Sequence, residues 1–464
     1  MISDKKIKDI FFNLEKDKSI FDYKLNGISI YFILRFNLEI HIRSLAVRKN
    51  KKQSFFLRIL SKAKQLSKKV NPTIIESNFF DSDSAISPSP YLFVGTCALK
   101  NEEGANVDLY DIIKYYHSQG QIINFVQPKY AVNSLPIKSK YYSSFLPLNN
   151  NPKTSLPKKD VLILIAFLKK LNSELDIDFI SKLEAYTINI STALHKANEL
   201  MDYIAKSGAK YVFVRSLYTE PWVAIACFKT SVKLIEVQHG VVAPDNIYYQ
   251  SVHPKIKLKD GSLLMPDYIL TLGSEWRNIL IKQQSFYDNT NVFNLGTSDY
   301  NLKTNVVNTN VIKLVFFLQG RGFNQLLSIT DFIAEFIEAY KNEIKSKNIE
   351  LIIRPHPNDL EETEVLRNYQ GYFSIEDTNK NEAVASIKKS NFIISATSMC
   401  LYEALAYGKT AISFSKFAGM TTNKEHITFI NSGQELMNLI KDNNKNLKAI
   451  SYLDSFNSEV LDFF

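Results

Sequence analysis

Residues 392–407 read FIISATSMCLYEALAY, and the change of pattern inside them decides the fold. The first four, 392–395, form a short apolar run of the kind a sheet buries on both faces. Ser395-Ala396-Thr397-Ser398 interrupts that run with small, hydroxylated residues. From 399 to 407 the apolar residues return at helical spacing. A strand that passes into a helix through a few small residues is half of a βαβ unit. The pattern recurs on both sides. Apolar runs at 313–318, 350–353 and 411–414 flank the quoted stretch, with a helical pattern at 329–347. Toward the N-terminus, runs at 91–96, 121–126, 211–214, 233–237, 268–272 and 292–295 form an earlier set. Strands alternating with helices imply parallel sheets covered on both faces. The polar, aperiodic residues 298–310 are the natural hinge between two such sheets.

The expected fold is therefore α/β: two Rossmann-like, doubly wound domains facing a cleft, over residues 90–300 and 310–450. Residues 1–75 read as a helical basic extension, strongly apolar at 28–40. Residues 71–90, with Pro72, Pro88 and Pro90 among many Ser and Asp, read as a linker. A chain of 464 residues is too long for one ordinary core.

Charge is informative once it is located. The net charge is +9, but residues 41–70 hold ten basic residues and no acidic one, leaving 46 basic against 47 acidic elsewhere. That distribution argues against a nucleic-acid coat and for one local basic element. Phe55, Phe56, Ile59, Leu60 and Leu66 recur between the lysines roughly as on one helix face. Docking on an anionic inner leaflet and a solvated helix packed on the protein both fit this pattern. The most apolar run, 161–168, is far shorter than the ~20 residues of a membrane span. The N-terminus lacks an apolar signal core, and Cys97, Cys227 and Cys400 have no metal or disulfide spacing. A cytoplasmic protein, peripheral on the membrane at most, is expected.

Ligands of open parallel sheets bind beyond the carboxyl ends of the strands, and four unusual groups stand there. Gln238-His239-Gly240 follows the run 233–237; the glycine permits a tight turn, and a histidine there can serve as base or donor. Arg354-Pro355-His356-Pro357 follows 350–353, and its prolines restrict a loop carrying a guanidinium fork and an imidazole. Gly320-Arg321-Gly322 follows 313–318 and lets backbone N–H groups approach an anion. Ser395, Thr397 and Ser398 open a helix, where a cap and a phosphate cradle are compatible. Glu403 lies about a turn and a half into that helix, a reach suited to a ribose hydroxyl. Asp245, Asn246 and Glu102 are weaker candidates for lining an acceptor. No Walker loop, GxGxxG, zinc spacing or GxSxG elbow is present, so neither a metal nor a cofactor is expected.

The order VQHG (237–240), PDYILTLGSEW (266–276), RPHP (354–357) and SATSMCLYEALAYGK (395–409) resembles the GT-B enzymes of bacterial surface polysaccharide synthesis. The pattern is most similar to capsule-type Kdo transferases and CDP-glycerol glycerophosphotransferases, and covers roughly residues 205–420. The resemblance implies a metal-independent glycosyltransferase acting in capsule or lipopolysaccharide synthesis. Its donor would be a nucleotide-activated, CMP- or CDP-linked sugar, and its acceptor a glycan or lipid-linked glycan. His239 would face the acceptor or transferred group. His356 and Arg354, with Arg321, Gly320, Gly322, Ser395, Thr397 and Ser398, would hold the donor phosphate, and Glu403 the ribose. A CDP-alditol phosphotransferase, a sugar-nucleotide epimerase and a non-catalytic scaffold of polysaccharide assembly remain as alternatives.

Overall fold

The structure is a computed structural model. It describes residues 3–49, 86–95, 109–128, 141–148, 155–242, 247–251, 260–282, 286–298, 311–318, 326–346, 349–356, 366, 368–378, 383–415, 426–442 and 449–464. The basic stretch beyond Lys49 and most of the expected hinge lie outside the described residues. Contacts divide the chain into two compact units. One comprises residues 1–239, 247–270 and Phe464, and the other residues 240–246 and 271–463.

The chain opens with helix α1 (Asp4–Lys16), whose first turn is capped by the Ser3 hydroxyl. Strands β1 (Lys24–Leu25) and β2 (Ile28–Ser29) then pair antiparallel. Asn26-Gly27 joins them, with φ of 50° and 78°, the left-handed pair that a two-residue hairpin turn requires. Helix α2 (Ile30–Lys49) follows directly. A buried polar cluster fastens α1 to α2. The Glu15 carboxylate accepts from Tyr31 Oη at 2.8 Å, Arg35 Nη2 at 2.6 Å and Ser251 Oγ at 2.5 Å. Arg35 Nη2 also donates to the Gln250 carbonyl at 2.8 Å.

The first sheet is built from β3 (Tyr91–Val94), β4 (Asn124–Pro128), β5 (Ser144–Leu148), β6 (Tyr211–Val214), β7 (Lys233–Val237), β8 (Tyr268–Thr271) and β9 (Val292–Asn294). Helices α3 (Tyr110–Ser118), α4 (Lys158–Leu175), α5 (Leu183–Ser207), α6 (Pro221–Thr230) and α7 (Ser274–Lys282) alternate with these strands. The second sheet holds β10 (Ile312–Phe317), β11 (Ile349–Arg354), β12 (Phe373–Ile375), β13 (Phe392–Ile394), β14 (Thr410–Phe414) and β15 (Thr428–Ile430). Its helices are α8 (Leu326–Lys345), α9 (Ala383–Lys389), α10 (Cys400–Ala406) and α11 (Gly433–Asp442).

The strand orders are β5-β4-β3-β6-β7-β8-β9 and β12-β11-β10-β13-β14-β15. In each sheet the chain starts in the middle, winds to one edge, then crosses back and winds to the other. That is the doubly wound, Rossmann-like α/β arrangement, and its order reverses at β3/β6 and at β10/β13. The central strands are buried beyond their first residues, as at Phe93, Phe213 and Ile235 of the first sheet. In the second, Phe316 and Ile353 meet Ile333 and Phe336 of α8 and Leu436 and Met437 of α11.

The β1–β2 hairpin corrects the expectation of a wholly helical extension over 1–75: the Asn26-Gly27 turn breaks the helical pattern there. In the two large sheets three further strands escape the sequence reading, and all three stand at the sheet edges. In β5, SFLPL carries Pro147, which an inner strand excludes and an edge tolerates. β12 and β15 are three residues each, and β12 is mostly exposed, so no apolar run marks it.

Within the second unit, the C-terminal segment closes on the ends of β8 and β9. Asp454 Oδ2 accepts from Ser274 N at 2.8 Å and Asn294 Nδ2 at 2.6 Å. Thr297 N donates to the Asp454 carbonyl at 2.9 Å, and Asn457 N to that of Leu295 at 2.7 Å. Gly273 and Gly296 permit this approach, because a Cβ on either would overlap the backbone of Tyr452 or Ser455. Gly296 also has φ of +71°. Gly296→Ala therefore combines left-handed strain with a backbone clash and is expected to cost about 2–4 kcal/mol in urea unfolding. Gly120→Ala, with a comparable φ of +73° but open space around it, is the matched control for strain alone. Among the described residues no helix is long and apolar enough to cross a membrane.

Candidate functional site

The carboxyl end of β7 carries the first group. Gln238 N still donates to the Leu270 carbonyl at 2.9 Å, so the ladder holds the start of the loop and His239 is the first residue beyond it. Its Nε2 lies 3.0 Å from Tyr218 Oη, presented by the short helical turn Leu217–Thr219 after β6. Tyr218 in turn stacks on Tyr248, with ring centroids 4.3 Å apart, and Phe36 of α2 leans against both. The imidazole is half-buried, but its Nδ1 is shut off from water. Burial first, and the nearby Arg215 charge second, push its pKa down to about 4, opposed by a backbone contact from Arg215. The ring is neutral at pH 7 and can accept a proton or a hydrogen bond.

Glu236, two residues after Leu234 in β7, is a site residue that sequence reasoning missed. It is 2% exposed. Its Oε1 accepts from Tyr249 Oη at 3.3 Å and Leu217 N at 3.4 Å, both long contacts. Burial pushes its carboxyl up to about 8, so it is mainly a neutral acid at pH 7. The available signal was a carboxylate inside an apolar run that a central strand buries on both faces.

These two groups pull stability in opposite directions with pH. Glu236 binds its proton more tightly when folded, so its contribution is complete below 4.5 and is lost as pH rises through about 8. His239 holds its proton less tightly when folded, so its contribution is complete above 6.5 and is lost as pH falls toward 4. Glu236→Gln keeps a neutral, hydrogen-bonding group but removes the titration. Its melting temperature is expected to fall less than that of the unsubstituted protein between pH 4.5 and about 8, measured by differential scanning fluorimetry.

The second group stands at the carboxyl ends of the other sheet. Where the order reverses between β10 and β13, Ser395 Oγ donates to the Phe317 carbonyl at 2.8 Å and ties the two strand ends together. The Ser398 hydroxyl accepts from the N–H of Cys400, the first residue of α10, at 3.2 Å. Thr397 lies half-buried between them. Glu403, one turn into α10, has a buried Oε2 with no hydrogen-bond partner. Burial pushes its carboxyl up to about 7, against the lowering effects of the Cys400 thiol and the Arg354 charge. An acid held half-ionised with one oxygen unmatched is set up to meet a donor.

Arg354, the last residue of β11, is buried, and its Nη1 is already engaged: 2.8 Å from Glu376 Oε2 and 3.2 Å from Ser386 Oγ. The sequence offered this guanidinium to a phosphate; here it forms a buried ion pair with an acid just beyond β12, and Glu376 was not foreseen. His356 is half-buried, two residues past the strand end. The structure thus gathers Ser395, Ser398, Arg354 and Glu403 at strand ends of one sheet, while His239 belongs to the other. Gly320, Arg321, Gly322, Asp245, Asn246 and Glu102 lie outside the described residues. Among the described residues, no three His, Cys, Asp or Glu side chains are grouped to hold a metal.

No family model matches the sequence, and no curated protein matches it significantly. Solved structures are similar over most of their length. The UDP-GlcNAc 2-epimerase of Neisseria meningitidis bound to UDP-GlcNAc is 13% identical, with 80% of this chain and 98% of that one covered at a TM-score of 0.47. The calicheamicin glycosyltransferase CalG4 is 8% identical, with 76% and 89% covered at 0.47. A glycosyltransferase from Rickettsia africae is 15% identical, with 76% and 88% covered at 0.43. The chain is an α/β protein of two doubly wound parallel sheets, each with polar side chains clustered at its carboxyl ends.

Proposed function

We propose that the protein is a GT-B glycosyltransferase that transfers a sugar from a nucleotide-activated donor to a hydroxyl of a glycan acceptor. The observation that carries this reading is Glu403. Its Oε2 is buried and unmatched, beside the point where the second sheet reverses its order, and a ribose hydroxyl is the donor it lacks. His356 with the Thr397 and Ser398 hydroxyls would face the donor phosphate, and Arg354 would add positive field from within its ion pair. His239, kept neutral, would accept the proton of the acceptor hydroxyl. CMP or CDP is the proposed leaving nucleotide, and capsule or lipopolysaccharide synthesis the proposed setting. Residues 41–70 would meet anionic lipid at the cytoplasmic face.

A thermal-shift panel of CMP, CDP, UDP and GDP tests the reading. One nucleotide is expected to raise the melting temperature of the full chain, and Glu403→Ala to weaken its binding by about 10–100-fold, the effect of one hydrogen bond to a charged group. If no nucleotide stabilises the protein, the glycosyltransferase reading fails. Hydrolysis of UDP-GlcNAc or formation of its epimer without an acceptor would favour an epimerase instead.

A further inference from the structure

The imidazole of His239 has two nitrogens, and the structure commits both. Nδ1 is shut off from water. Nε2 stands 3.0 Å from Tyr218 Oη, and a ring nitrogen that accepts has a single lone pair to offer. What lies before that lone pair is therefore a phenol. Tyr218 has little freedom to move aside. Its ring stacks on Tyr248, with centroids 4.3 Å apart and 16° between the planes, and Phe36 lies against it at 5.6 Å. The turn that carries it, Leu217–Thr219, is pinned by Thr219 Oγ1, which donates to the Ser216 carbonyl at 3.1 Å and stands 3.0 Å from Ser216 Oγ. Tyr218 is nonetheless half-buried and not sealed.

We infer that Tyr218 is a catalytic residue, which takes the proton of the acceptor hydroxyl on Oη while handing its own phenolic proton to His239 Nε2. The inference rests on the glycosyltransferase reading and deepens it by placing a second residue between acceptor and base. In the step, the acceptor oxygen forms its bond to the anomeric carbon of the donor sugar. The bond from that carbon to the donor phosphate breaks, and its electron pair stays on the phosphate oxygen. The acceptor proton passes to Tyr218 Oη as the phenolic proton passes to Nε2, which leaves a neutral tyrosine and an imidazolium. The imidazolium later returns its proton to water by the same path. The two proton movements are one event, because burial raises the Tyr218 pKa and a free phenolate is not populated. The relay requires the ring hydrogen of neutral His239 to sit on Nδ1. The Arg215 backbone raises the pKa of this histidine, as a carbonyl facing a ring N–H does.

Two measurements on the full chain test the relay. The first needs no substrate. Long-range ¹H–¹⁵N correlation of the imidazoles, with His239 assigned by its loss in His239→Gln, is expected to show the Nδ1–H tautomer. An Nε2–H tautomer overturns the inference, since His239 would then donate to Tyr218 and could not receive its proton. The second follows nucleotide release from CMP- and CDP-linked sugars that depends on added methyl hexopyranosides as acceptors. Tyr218→Phe, which keeps the stacked ring, should lower this release by about 10²–10⁴-fold, as His239→Ala does, and the double replacement should be no slower than the slower single one. Release within about threefold of the unsubstituted rate for Tyr218→Phe overturns the inference, as do losses that multiply in the double replacement. The tautomer is read on the unsubstituted protein and stands even where a substituted chain fails to fold. A CMP or CDP thermal shift on the same sample separates the two readings. Nucleotide binding with an Nε2–H imidazole sinks only the relay; no nucleotide binding sinks the reading beneath it.

Discussion

Glu15→Ala is expected to destabilise the first unit by about 3–5 kcal/mol, the usual consequence of removing one partner from a buried ion pair. Glu15 is 0% exposed and accepts from Tyr31, Arg35 and Ser251. Its loss leaves the Arg35 guanidinium buried with only the Gln250 carbonyl to meet it. The hydroxyls of Tyr31 and Ser251 lose an acceptor at the same time. The two tryptophans make the measurement specific, because Trp222 falls in the first unit and Trp276 in the second, both fully buried. Urea unfolding followed by fluorescence in a Trp276→Phe background reports the first unit. The double replacement Glu15→Leu with Arg35→Met removes both charges and should recover most of the loss. A shift below about 1 kcal/mol for Glu15→Ala would mean that water reaches Arg35 and that the cluster is not closed.

His239→Ala is expected to lower turnover by about 10²–10⁴-fold, the range for loss of a positioned general base, with nucleotide binding unchanged. The imidazole accepts protons only in its neutral form, and burial with Arg215 holds its pKa near 4. Activity should therefore persist below the ordinary histidine value of 6.5 and fail only as pH drops toward about 4. Tyr218→Phe removes the hydroxyl 3.0 Å from Nε2 and should move that acid limb while sparing the fold. An acid limb that stays at 6.5 in the unsubstituted enzyme would show that another group takes the proton.

Much of this fold is legible in the sequence because central parallel strands must be apolar on both faces. The runs at 91–96, 211–214 and 392–395 announce β3, β6 and β13 for that reason. Strands near the edge obey weaker rules, which is why Pro147 in β5 and the three exposed-to-intermediate residues of β12 gave no signal. The candidate site divides in the same way. Position relative to a strand end is encoded locally, so His239, Ser395 and Glu403 can be picked out from spacing. Engagement of a side chain is not local. Arg354 meets Glu376, 22 residues away, and Arg35 meets Gln250, 215 residues away, and neither pairing leaves a periodic trace. Glu236 is hidden for a third reason: inside KLIEV it resembles the outward residue of a half-exposed strand until the sheet order puts β7 between β6 and β8.

The closure of Asp454 on Ser274 and Asn294 links residues 160–180 positions apart. A ribosome adding about 5–20 residues each second needs roughly ten to forty seconds to cover that distance. Through that interval the nascent chain carries the turns at Gly273 and Gly296 without the segment that covers them. Chaperone occupancy of the growing polypeptide should concentrate in this window, and slowing translation downstream of residue 297 should prolong it.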